Sequence, residues 1–498
     1  MPRSTLALTS LVALLAACAP PRTAPTPVGE RAALRAAIDS MVATPQFRNA
    51  HWGILIVDPE RGDTLYSRNA GKLFMPASNQ KILTGAVALA QLGPEFTYGT
   101  ALRLAGAVRD SVLLGDLQVY GMGDPSISDA LRGDAYQFLR GLADSLRARG
   151  VRRIDGTIVS ASDAFSDAPL GFGWAWDDLD YPYSAGTDEL MFNEGFGEII
   201  VSAGAQAGDS ARVRLRAPGS FSVRNEVRTV GAAANGGPPP TRIQWEASAD
   251  ARAGQPRNGI VLRGTIRLGD TDTIASAFRD QNGAFLDVLA AALRDGGIEI
   301  GGRADSTRAA AATAPQITLA SPPLRTILAR MEKPSQNQIA EALYKTLPFV
   351  KMGVGTADSA RAVVERQLVA WGAPPDGFAV RDGSGLSRHD YVTPETIVKV
   401  LDAMRRHEHF RVFYDALPIA GVDGTIRNRM RGTPAEGNVH AKTGFIDKAR
   451  SLSGYVTTAD GRVLLFSFLA NNWTTPTRAV EQVQDAIAAR LASMRLGQ

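Results

Sequence analysis

Two hairpin-like stretches near opposite ends of this chain constrain its architecture more than any other feature. Residues 51–70, HWGILIVDPERGDTLYSRNA, read as two strands joined by a tight Pro/Gly/Asp turn. Residues 449–472, ARSLSGYVTTADGRVLLFSFLANN, read as a hairpin turning at Asp460-Gly461. A helical spacing of apolar residues (RAALRAAIDSMV, 31–42) precedes the first, and a final helix from about 476 follows the second. Strands and a helix at the start, matched by strands and a helix at the end, predict one domain built from both ends of the chain.

What lies between is then a large insertion. From about 98 to 310 the texture is short β-rich runs broken by Gly, Asp and Pro, such as LLGDLQVYGMGDPSIS and NGIVLRGTIRLGDTDTIASAF, with a helix near 134–149. GAAANGGPPPTR (231–242) is a loop or linker, and helices return after about 318 with PPLRTILARMEKPSQNQIAEALYKTL. With 498 residues and 45% hydrophobic composition the chain can fill two or three cores. A net charge of +4 with no long Lys/Arg run gives no support to nucleic-acid binding.

The first residues, MPRSTLALTSLVALLAACAPPRTAPTP, place one charge, Arg3, before a short apolar run and then small residues and prolines, the layout of an export signal. The run is too short to span a bilayer as a permanent helix. LAAC, Leu15 to Cys18, resembles a bacterial lipobox in which the cysteine is lipidated. Simple cleavage within Ala17-Cys18-Ala19 would leave Pro20 just after the scissile bond, a poor position, so lipidation of Cys18 is the expectation. Cys18 is the only cysteine, so the exported part would have neither disulfide nor thiolate chemistry. Residues 1–18 are read as this signal and 19–28 as a tether.

The chemistry is concentrated in FMPASNQKILTGAVALAQLG (73–92). Ser78 stands where a loop becomes a helix, and serine is a favoured helix cap. Lys81, three residues on, shares its helical face in a helix apolar enough to be buried. A serine hydroxyl becomes a competent nucleophile when a neighbouring base takes its proton, and a lysine can be that base only when neutral. Burial and a second nearby cation can supply the required shift. Lys442-Thr443-Gly444, on a predicted strand, offers such a cation, and its glycine allows close backbone approach; Ser335 and Asn337 lie at another loop-to-helix junction.

Ser78-x-x-Lys81, Ser335-x-Asn337 and Lys442-Thr443-Gly444, in that order, resemble the three signatures of penicillin-binding proteins and serine β-lactamases. Ser-x-x-Lys and Lys-Thr-Gly each occur once; a second Ser-x-Asn at Ser67 to Asn69 falls in the first strand pair and is assigned to structure. The long gap between Ser78 and Ser335 resembles the class C low-molecular-mass penicillin-binding proteins, the D-alanyl-D-alanine carboxypeptidase/endopeptidase group. GMGDPSIS (121–128), GWAWDDLDYPYSAGTDELMFNE (173–194), RDGSGLSRHD (381–390) and SLSGYV (451–456) are further family-like stretches.

The resemblance implies an α/β (α+β) fold: a transpeptidase/β-lactamase-like domain, with an antiparallel sheet flanked by helices and a helical subdomain, carrying two inserted β-rich domains. The corresponding division is 29–97 with 311–498 for the peptidase domain, 98–122 with 204–310 for one inserted domain and 123–203 for the other. It further implies that Ser78 attacks a D-Ala-D-Ala peptide bond and Lys81 takes its proton. Ser335 relays that proton to the leaving D-alanine, and Asn337 fixes Lys81 and the substrate amide. Lys442, which also helps keep Lys81 neutral, and the Thr443 hydroxyl bind the terminal carboxylate beside Gly444. The backbone amides of Ser78 and Phe445 form the oxyanion site. Arg388 resembles the family's cation near the peptide side chain, and Asp177 with Tyr181 or Tyr183 would contribute from the insertion. The implied partners are peptidoglycan stem peptides, β-lactam inhibitors and, through the lipid, a membrane; the implied location is the periplasm, with no cofactor and no metal.

Phe445 departs from the family, which usually has Thr or Ser after Lys-Thr-Gly, so one hydroxyl for the carboxylate is missing; Ile446 is a nonpolar lining candidate. His440 falls on the same strand face as Lys442 but fits no triad, and the i,i+2 pair His407 and His409 does not converge on one ion. Trp174 and Trp176 read as packing residues. The rival functions are a β-lactamase, for which no dedicated deacylating carboxylate is evident, and a non-catalytic wall-binding protein, which would have no use for a matched nucleophile and base.

Overall fold

A computed structural model describes residues 27–231, 240–248, 256–302 and 317–497. The leader with Cys18, most of the 19–28 tether and the greater part of the 231–242 loop lie outside the described residues; Pro27 and Val28 already belong to the first helix. The two ends of the chain meet in a five-stranded antiparallel sheet in the order His440–Ile446, Ala449–Thr457, Val463–Asn471, His51–Asp58, Asp63–Arg68. The expected hairpins are therefore neighbours, joined by the pairing of His51–Asp58 with Val463–Asn471.

Side-chain alternation explains why both faces are covered. Along Val463–Asn471, Leu464, Phe466, Phe468 and Ala470 enter one core with Ile54 and Ile56 of the neighbouring strand and with Leu34, Ile38, Ile487 and Leu491 of the two terminal helices, Pro27–Val42 and Thr477–Ser493. Leu465 and Leu469 point the other way, into a core shared with Gln80–Leu92, Leu324–Glu332, Asn337–Met352 and Pro394–Arg405. That second layer carries Ser78, Lys81, Ser335 and Asn337 at its edge, against the sheet's outermost strand. The mixed helix and sheet class matches the expectation.

The insertion leaves and returns at one point: Ser321 N–H donates to the Tyr98 carbonyl at 3.0 Å, and Tyr98 N–H to the Ser321 hydroxyl at 2.9 Å. Its strand pairing does not follow the expected division into 98–122 with 204–310 and a separate 123–203. Gly99–Arg109 and Val112–Tyr120 form a sheet with Arg153–Ile154, Ile158–Ser160, Glu299–Ile300 and Ile317–Ala320, so the supposed second unit supplies strands to the first. Phe196–Ser202 likewise pairs with Arg212–Leu215 and Thr271–Ala277 across the expected boundary. The physical reason is one continuous core, in which Tyr136, Leu139 and Leu146 pack with Phe285, Leu289 and Leu293. The helix expected near 134–149 is two short helices, Ala135–Arg140 and Leu142–Arg147, interrupted at Gly141. No helix among the described residues is long and apolar enough to cross a membrane.

Candidate active site

Ser78 sits in a 3-10 turn, Ala77–Asn79, that runs directly into the helix Gln80–Leu92. Its side chain makes no capping bond; instead Ala77 takes a left-handed φ of 48° that aims the turn at the sheet. A non-glycine residue in that region costs on the order of 1 kcal/mol and persists only where surroundings enforce it. Two contacts enforce it here. The Ser451 hydroxyl donates to the Pro76 carbonyl at 2.7 Å, and Asn79 Nδ2 donates to the Lys442 carbonyl at 2.8 Å.

Lys81 Nζ lies 2.9 Å from Ser78 Oγ, 2.6 Å from Asn337 Oδ1 and 2.8 Å from the Ser384 carbonyl. The last two atoms can only accept. A neutral amine satisfies them with two N–H bonds and turns its lone pair to the remaining partner, the Ser78 hydroxyl. Lys81 is fully buried, and that burial is the largest cause lowering it to about 8; Glu332, Asp382, Glu341 and Asp390 oppose the shift. The fall from 10.5 corresponds to roughly 3 kcal/mol, within the reach of burial. Sequence reasoning expected a second cation to keep Lys81 neutral; in the structure burial is the leading cause, and the repulsion between the two ammonium groups adds to burial in lowering Lys442.

Lys442 is fully buried in the edge strand, where its ammonium donates to the Thr443 carbonyl at 3.0 Å. The Thr443 hydroxyl donates to that of Thr425 at 2.7 Å. A methyl added at Gly444 would stand 2.8 Å from Ser78 N and 2.5 Å from the Pro76 carbonyl, so glycine is what lets this strand lie against the turn that carries Ser78. Along the strand the direction of N–H alternates, and Ala441 N–H points outward to the Pro418 carbonyl. By the same alternation Phe445 N–H points off the open edge, away from Ala449–Thr457. The Phe445 ring is itself 55% exposed.

Ser335 is half-buried with φ 68°, and its hydroxyl makes no hydrogen bond among the described residues. Asn337 reaches both sides: its Oδ1 accepts from Lys81 and its Nδ2 donates to the Tyr183 carbonyl at 2.6 Å. Of the residues expected from the insertion it is thus Tyr183, bonded through its hydroxyl to Asp178 and stacked on Tyr181, that meets the cluster. Asp177 stands further out, lining a cleft of about 370 Å³ with Asp180, Tyr181, Trp245, Glu246 and Arg263. Arg388 donates to the Asp447 carbonyl at 3.0 Å, at the turn after Ile446. Trp176 is 84% exposed and does not pack, whereas Trp174 donates to Asp382 at 2.9 Å. His440 is buried, stacked on Tyr414 and bonded to its carbonyl, and burial lowers its basicity.

Sequence reasoning missed the support behind Lys81. Glu341 accepts the N–H groups of Gly383 and Ser384, at 3.1 and 2.8 Å, and so fixes the carbonyl that Lys81 uses. Asp382 accepts from Gly385 and Ser387, at 2.6 and 2.7 Å, and Asp390 from Arg381 at 2.6 Å. Glu194 clamps Arg330 with two bonds and accepts from Gln336, tying the insertion to the approach of Ser335. The stretch RDGSGLSRHD was the available signal for Asp382 and Asp390, and Glu194 ends the family-like stretch 173–194; Glu341 lies in neither.

The model of the D-Ala-D-Ala carboxypeptidase 3 (S13) family matches residues 34–494. A D-alanyl-D-alanine carboxypeptidase of Actinomadura sp. (strain R39) is 33% identical over 474 residues, covering 92% of this chain and 84% of the relative. The crystal structure of penicillin binding protein 4 (dacB) from Haemophilus influenzae has the same fold, with a TM-score of 0.78 at 23% identity over 92% of this chain and 99% of that one. A second structure of that protein, complexed with a β-lactam, superposes with a TM-score of 0.73 at 22% identity, with the same coverage.

Proposed function

The chain belongs to the D-Ala-D-Ala carboxypeptidase 3 (S13) family, and from that premise we propose that it is a serine D-alanyl-D-alanine carboxypeptidase, with endopeptidase capacity, acting on peptidoglycan stem peptides and acylated by β-lactams. One observation carries the reading: Lys81 Nζ approaches Ser78 Oγ while its other two partners are obligate acceptors.

Ser78 Oγ attacks the carbonyl carbon of the penultimate D-alanine as Lys81 takes the hydroxyl proton. Negative charge on the carbonyl oxygen is met by the N–H groups of Ser78 and Phe445. The C–N bond then breaks, and the proton passes through the Ser335 hydroxyl to the departing amine of D-alanine. Water cleaves the ester, returning its proton by the same base and regenerating Ser78. Lys442 and Thr443 hold the terminal carboxylate. Arg388, and from the insertion Asp177 with Tyr183, receive the rest of the stem peptide. The protein works in the periplasm, tethered through lipid on Cys18; the sequence layout of residues 1–18 supports this.

Intact-protein mass after brief exposure to penicillin tests the reading. Wild type should gain one penicilloyl group and Ser78→Ala none. A folded wild type without adduct would overturn the serine mechanism.

A further inference from the structure

Glu332 is a carboxylate that the reaction just described does not use. It ends the helix Leu324–Glu332, is fully buried, and neither of its oxygens has a hydrogen-bond partner among the described residues. Such a group normally costs several kcal/mol unless a charge compensates it. Room has been made for it: Gly85 lies four residues after Lys81 on the same helical face, and a methyl there would stand 2.8 Å from Glu332 Oε1. The charges that face the carboxylate are Lys442 and Lys81.

We propose that Glu332 is the internal counter-ion of the two active-site lysines, a positioning residue that keeps Lys442 charged while Lys81 is neutral. The inference rests on the serine reading above. The argument is one of proton count. Catalysis requires Lys81 without its proton and Lys442 with one, and with Glu332 ionised those three buried groups sum to zero charge. Without the carboxylate the same state carries an uncompensated buried cation, and Lys442 gives up its proton more readily. The other charges are placed differently. Glu341, Asp382 and Asp390 act on Lys81 from behind the Gly383–Ser384 turn, whereas Arg450 acts on Lys442 and opposes its charge. Glu332 alone among these carboxylates acts on both lysines. Burial raises Glu332 itself, and the two lysines counter the rise, as expected for a group that shares its proton with them.

The test is the second-order rate of acylation by benzylpenicillin, read by intact mass from pH 5 to 10, on wild type, Glu332→Gln, Glu332→Met and Glu332→Asp. Wild type should give a bell whose two limbs belong jointly to Lys81 and Lys442, because the two buried lysines act on each other and titrate as a pair. Loss of the negative charge lowers both lysines, so the Gln variant should move both limbs acidward by about one unit. Met, which removes the charge without leaving an amide to satisfy, should do the same, and Asp should keep the wild-type limbs. Unmoved limbs in a folded Gln or Met variant, or a uniform loss of rate at every pH, would overturn the counter-ion role. Absence of any adduct on wild type would instead overturn the serine reading.

Discussion

Asn79 and Lys442, 363 positions apart in sequence, are joined by a 2.8 Å hydrogen bond from the Asn79 side chain to the Lys442 carbonyl. The bond ties the residue after Ser78 to the edge strand His440–Ile446. Asn79→Ala leaves a buried carbonyl short of a donor, which costs about 1 to 3 kcal/mol. The expected outcome is a lower thermal midpoint together with at least a tenfold slower acylation by penicillin. Unchanged acylation in the variant would make the bond purely structural.

Gly444→Ala should have a larger effect on chemistry than on folding. Its methyl would meet Ser78 N, a proposed oxyanion donor, and the Pro76 carbonyl just before the turn that carries Ser78. Overpacking of this kind costs about 1 to 3 kcal/mol, while misplacing an oxyanion donor costs 100-fold or more in rate. Circular dichroism near that of wild type, with acylation reduced beyond 100-fold, is the expected pair of results.

Asp390 carries a pH dependence of stability. Burial, and after it the neighbouring Asp382, raise its carboxyl well above the ordinary range. A group raised in the folded state is more protonated there than in the unfolded chain, so stability falls as pH rises from the unfolded value near 4 through the folded one. Asp390→Asn keeps a donor beside Asp382 without the titration. Between pH 5 and 8 the thermal midpoint of wild type should fall, and that of the variant should fall less.

Cys18→Ser should release the exported protein from membranes into the soluble fraction, with loss of incorporated labelled fatty acid. Acylation by penicillin should be unchanged in the released protein, because the residues that surround Ser78 all come from beyond position 70. A variant that still sediments with membranes would argue against the lipid.

Much of the site was legible because its chemistry is written in short local patterns. Ser78 and Lys81 are set by one helix turn, and Asn337 by a loop-to-helix junction. The pairing of the chain's ends was legible for a related reason: each end carries two apolar runs joined by a tight turn, a local pattern that reads as a hairpin. Glu332 was not, since one acidic residue in ARMEKPS reads as an ordinary helix charge until Gly85 and Lys442 are seen beside it. The insertion defeated sequence reading because Arg153–Ile154, Ile158–Ser160 and Glu299–Ile300 are two or three residues long, too short to have a period. Their partners are distant strands that only the shared core brings together.

The order of strands in the central sheet also has a consequence for biosynthesis. Ser78 emerges early, but the strand His440–Ile446 that faces it is made near the end. A nascent chain therefore carries Ser78 before the strand that lies against it exists. The surroundings of Ser78 are completed only when the last hairpin closes against the first.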